Sequence, residues 1–123
     1  MSLLVYVYQC CPDNKTVERM KRPSEQSASN MFGSETWRQK IWGSKAVRDL
    51  ECKLLPSLKG SNIYAEGENL EVLRTELNLL LENIDLISDR LNIDKGSLSF
   101  RINNALECVT RAQKHKNGGV AIE

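Results

Sequence analysis

At 123 residues the chain has the length of one domain that can bury a real core, and it reads as a single domain over 1–123. Seventeen Lys and Arg stand against sixteen Asp and Glu, a net of +1, which gives no global reason to bind nucleic acid or an anionic membrane. No stretch reaches the roughly 18 uninterrupted apolar residues of a membrane-spanning helix, and no basic n-region precedes the apolar run 3–8, so a cytoplasmic location without a membrane partner is expected.

Residues 3–8 (Leu-Leu-Val-Tyr-Val-Tyr) predict a strand, and their continuous apolar character places it centrally rather than at an exposed edge. Cys11-Pro12-Asp13-Asn14 ends it with turn chemistry. From about 13 to 35 the chain is basic and then polar, burying little, and this segment is expected to be a mobile surface loop. Lys15, Arg19, Lys21 and Arg22 within it read as solvated charges. Trp37, Ile41 and Trp42 restore apolar bulk. Ser44 is placed to cap a helix over about 45–55, with Val47, Leu50 and Leu54 on one face and Pro56 as its stop. Asn62-Ile63-Tyr64-Ala65 is a candidate strand closed by Gly67.

The strongest periodic signal follows. Leu70, Leu73, Leu77, Leu80, Ile84, Ile87 and Leu91 alternate at spacings of three and four, predicting a long helix over about 69–91 with Asn69 as its cap. Val72, Leu79 and Leu86 fall on nearly the opposite side, leaving a narrow polar face of roughly 80° to 100°. This helix therefore needs two contacts: a hairpin partner, and either the sheet, the 45–55 helix or another subunit. The partner is a one-sided amphipathic helix over about 97–116, with Leu98, Ile102, Ala105, Leu106, Val109 and Ala112 inward and Asp94 or Ser97 as cap. Arg111, Lys114, His115 and Lys116 suit its negative end, Asn117-Gly118-Gly119 stops it, and residues 119–122 form a final short strand. The expected fold is α+β: a small, mostly antiparallel sheet of the N-terminal strand, the C-terminal strand and the segment near residue 63, packed against the helical hairpin and the shorter helix.

Motifs for chemistry are missing from the sequence. Gly43-Ser44-Lys45 lacks the first glycine of a P-loop, and neither a G-x-G-x-x-G nor a G-x-S-x-G is present. Cys10, Cys11, Cys52 and Cys108 make no C-x-x-C pair, and His115 is the one histidine, so no metal site and no cofactor is expected and the cysteines read as free thiols. Cys108 and His115 lie seven residues apart, about 10 Å along a helix, too far for a catalytic dyad. Asn14-Lys15-Thr16 fits a glycosylation sequon but has no secretion signal to give it meaning.

Two sets of residues stand out for recognition. Glu76 and Asn83 lie between the apolar stripes of the long helix, level with Arg111 and Asn104 of an antiparallel partner. They read as a register-fixing polar pair or, with Arg101 and Asn104, as a polar binding groove. Trp37 and Arg38 have the composition of interface anchors, and the Val72–Leu79–Leu86 stripe suits a subunit contact. The missing RNP-type motif and balanced charge argue against single-stranded nucleic acid. Three functional readings follow: a non-catalytic interaction module of the immunity or adaptor kind, a homo-oligomer using the stripe, and a small-molecule binder or enzyme with an unrecognised site.

Overall fold

A computed structural model describes residues 2–10, 17–18, 28–115 and 117–123. Five strands, β1 (Ser2–Cys10), β2 (Val17–Glu18), β3 (Met31–Ser34), β4 (Ile63–Glu66) and β5 (Gly118–Ile122), form an antiparallel sheet. The order is β2-β1-β5-β4, with β3 also paired to β1. β5 follows one edge of β1 from Val5↔Ile122 to Gln9↔Gly118, and β2 and β3 share the other edge. The continuously apolar β1 is therefore central, as its composition predicts, and the strands expected at the two ends of the chain and near residue 63 are present. Alternation divides the sheet faces. Leu3, Val5, Ile63, Ala65, Val120 and Ile122 point to the helices, while Tyr6, Tyr8 and Ala121 gather on the other side.

The helices are α1 (Glu35–Trp37), α2 (Lys45–Arg48), α3 (Glu68–Glu82), α4 (Ile84–Leu91) and α5 (Lys95–Gln113). α1 runs on as one π-helical stretch through Arg38–Trp42, and a 3₁₀ helix occupies Leu55–Lys59. α5 packs across β1, β3 and β5 and lies antiparallel to α3 and α4. Leu70, Leu73, Leu77, Leu80, Ile84 and Ile87 are all buried, so the heptad seam faces the core as predicted. Asp94 caps α5 by accepting from Ser97 N at 2.8 Å, and Ser44 Oγ accepts from Val47 N at 3.3 Å.

Several helix boundaries differ from the sequence reading. The single helix over 69–91 is two, because the backbone leaves the helical region at Asn83 (φ −113°, ψ 23°), whose side-chain amide turns back to Leu79 O at 2.9 Å. Its cap is Gly67 (φ 56°) rather than Asn69. The helix over 45–55 lasts one turn: Glu51 adopts a left-handed φ of 66°, Cys52 turns inward, and Pro56 opens the next helix instead of ending this one. α5 stops at Gln113 rather than 116, and a Cβ on Gly118 would meet Ala112 O at 2.2 Å, so the turn into β5 requires glycine there.

A further difference concerns the expected loop over 13–35. Residues 13–16 and 19–27 lie outside the described residues, but Ala28–Asn30 form a 3₁₀ turn and Met31–Ser34 form β3. Side chains from far along the chain hold this segment. Asn104 Nδ2 donates to Ala28 O and Met31 O, both at 2.9 Å, and Trp42 Nε1 donates to Phe32 O at 2.9 Å. Phe32 stacks on Trp42 with ring centroids 4.2 Å apart. Gly33 has φ 122°, and Trp37 packs where its Cβ would stand, 2.5 Å from Trp37 Cβ.

Candidate docking groove

Glu76 stands at an apolar hollow beside α3. The turn over 49–54 ends at Leu54 and Leu55, whose amides begin the 3₁₀ helix and have no partner one turn back. The Glu76 carboxylate accepts from both, Oε2 from Leu54 N and Oε1 from Leu55 N, each at 3.0 Å. Glu76 is 5% exposed, so these two amides supply the solvation that burial removes. Cys52 sits in the same pocket of chain. Burial, with the Glu76 carboxylate beside it, pushes its thiol from the ordinary 9.0 up to about 12.

This clamp fixes the 49–54 turn alongside α3 and leaves a hollow of about 370 Å³ between them. Its walls are Leu50, Glu51 and Lys53 on the turn and Glu71, Val72, Thr75 and Leu79 on α3. Val72 is 43% exposed and Leu79 is half-buried. Leu86 continues the apolar line on α4 at 53% exposure, one turn before Arg90 on the same face. Arg90 Nη1 in turn reaches Asp49 Oδ2 at 3.1 Å, next to Leu50. Thus Val72 and Leu79 line the hollow beside the 49–54 turn, and Leu86 stands exposed on α4. The sequence reading expects a second covering contact along this stripe, and within the described chain that contact is only partial.

The surroundings of the stripe are acidic. Residues 68–91 carry six carboxylates and two arginines, in a chain whose net charge is +1. At 100° per residue Glu68, Glu71 and Glu82 project within about 90° of the Val72–Leu79 line, all on the side away from Glu76. Arg74 is turned from the groove toward α5, where it donates to Thr110 Oγ1 at 3.3 Å and to Gln113 Oε1, and its Nε lies 3.7 Å from Glu71. Asp85 pairs with Lys95 at 2.7 Å. Among the described residues no ion pair engages Glu68, Glu82 or Asp89.

The other residues singled out from the sequence sit elsewhere. Glu76 faces Leu54 and Leu55, not the level of Arg111, and Asn83 bonds within its own helix. Arg101 donates to Ser97 O and Ser97 Oγ and lies 4.4 Å over the Trp37 ring, and Asn104 holds the start of β3. The hydrogen bonds of these four residues go to different parts of the molecule rather than around one groove. Burial shifts the Arg101 guanidinium downward. Trp37 is half-buried between Gly33, Trp42 and Arg101. Arg38 is 9% exposed and ties the 58–62 segment through Leu58 O, Ser61 O and Asn62 Oδ1 at 2.7 to 3.0 Å, with Glu35 Oε2 3.2 Å from its Nε. Both act as internal struts, so of the anchor candidates only the stripe is presented outward.

Neither described thiol is placed for chemistry. Cys108 is fully buried, and that burial raises its pKa despite the Arg111 guanidinium at 3.4 Å, while His115 is exposed. Among the described residues no group of three metal-ligating side chains comes together, and no helix is long and apolar enough to cross a membrane. A second hollow of about 400 Å³ lies between the α3 and β5 ends, lined by Glu66, Gln113, His115 and Asn117 among others. No protein-family model matches the chain, and no curated protein or solved structure matches it either.

Proposed function

We propose that the protein is a non-catalytic protein–protein interaction module, of the adaptor or immunity kind, that works in the cytoplasm and docks its partner on the groove beside α3. One observation carries this reading. α3 buries Leu70, Leu73, Leu77 and Leu80 on one side and leaves Val72 43% exposed and Leu79 half-buried on the other, lining a preformed hollow, while Leu86 on α4 is 53% exposed. Contiguous exposed apolar surface rimmed by charge is what recognition sites present, whereas an isolated exposed leucine needs no explanation. The enzyme or small-molecule reading asked for Glu76, Asn83, Arg101 and Asn104 around one pocket, and their hydrogen bonds diverge.

The same stripe also supports a second reading, a symmetric homo-oligomer. The two separate in one pair of experiments. Tagged wild-type protein and the double variant Val72→Glu/Leu86→Glu are compared for what they retain from source-cell lysate, and both are sized by light scattering. The module reading predicts a stoichiometric partner on the wild type that the equally stable variant loses. The same retained proteins on both, or bait alone, would sink it. A wild-type dimer that the variant converts to monomer would move the assignment to self-association.

A further inference from the structure

We infer that the partner segment is a basic amphipathic helix. This rests on the docking reading above and adds the chemistry of the occupant. The apolar lining on α3 is Val72 and Leu79 at i and i+7, with Leu86 53% exposed on the following helix, a spacing that matches helix-in-groove recognition with anchors every one or two turns. From Val72 to Leu79 this line runs about 10 Å, two turns of a docked helix. Charge decides the rest. Glu51 and Glu71 line the hollow, Glu71 being shared with Arg74 at 3.7 Å and Gln113 at 3.0 Å, while Glu68 and Glu82 flank it without an ion pair among the described residues and Lys53 is the one cation among the lining residues. In a two-fold copy Lys53 would be the one lining cation available to meet the carboxylates of the other patch, whereas a basic helix brings several. Anionic membranes and nucleic acid are repelled by the same rim. A helix with leucines on one face and lysines or arginines beside them satisfies both the floor and the rim, and its charges would steer encounter.

The test uses two labelled helical peptides of about 18 residues, one Leu/Lys and one Leu/Glu, titrated with the full chain and followed by fluorescence anisotropy. The Leu/Lys peptide should bind at least about tenfold more tightly. Val72→Ser/Leu86→Ser should weaken it about tenfold, and Glu71→Lys/Glu82→Lys should transfer the preference to the Leu/Glu peptide. Equal binding of both peptides at the groove, or no binding of either, would overturn the basic-helix inference while the lysate comparison still decides the docking reading. Leu/Lys binding that survives Val72→Ser/Leu86→Ser unchanged would overturn it as charge adsorption alone. Wild-type dimers abolished by the same pair would replace the basic helix with a second copy.

Discussion

The two apolar faces of α3 are made of the same residue types and meet opposite fates. Leu70, Leu73, Leu77 and Leu80 are each 4% exposed or less, in a helix packed on α5 and β4, while Val72 on the other face is 43% exposed. Hydrophobic spacing identifies both faces equally well, because periodicity reports that a face is apolar and not what lies over it. Between them stands Glu76, a carboxylate only 5% exposed whose oxygens accept from the amides that end the 49–54 turn. The helix therefore divides by azimuth: one side is enclosed in the fold, and the other is left partly open.

That separation can be broken from either side. The largest effect belongs to the seam: Leu73→Ala, at a position with no exposure, should cost about 2–5 kcal/mol in urea unfolding. Glu76→Ala comes next, at about 1–3 kcal/mol in all, because it leaves the buried Leu55 amide without its acceptor while the part-buried Leu54 amide can turn to water. Amide exchange at those two residues should quicken selectively, and Glu76→Gln should recover part of the loss. Outside α3, Gly33→Ala should lose about 1–3 kcal/mol by forcing Trp37 off its seat, a change visible in tryptophan fluorescence.

Smaller still is the pH response of the buried thiols. Cys52 titrates near 12 in the folded chain against 9.0 ordinarily, and burial raises Cys108 as well. The unfolded state then holds fewer protons between those values, so this contribution is intact below pH 9 and is lost as pH climbs toward 12. Urea midpoints compared between Cys52→Ala and wild type across that window should show a shallower alkaline decline in the variant. The smallest stability change should come from Val72→Ser/Leu86→Ser, within about 0.5 kcal/mol per site.

The elements legible in the sequence are those whose signals are local. The seam, the caps at Ser44 and Asp94, and the strands β1, β4 and β5 rest on periodicity, β propensity or a side chain three residues from its target. What escaped depends on distant partners. β3 holds a glycine and lies in a polar stretch, and it is set by Asn104 and Trp42, 73 and 10 residues away. The break at Asn83 interrupts no apolar period, so the heptads run through it unmarked. Glu76 was legible as a polar residue between two stripes, but its partners are main-chain amides, which no residue pattern announces. The stripe of Val72, Leu79 and Leu86 could be read as a surface; that it stays half-open beside the 49–54 turn could not.

The most direct measurement takes the Val72→Ser/Leu86→Ser protein and determines two quantities on one preparation, its urea midpoint and its affinity for the Leu/Lys peptide. An unchanged midpoint with affinity reduced about tenfold is the predicted result. A lowered midpoint with affinity intact would place the stripe in the core and contradict the division of α3 into a structural and a recognition face.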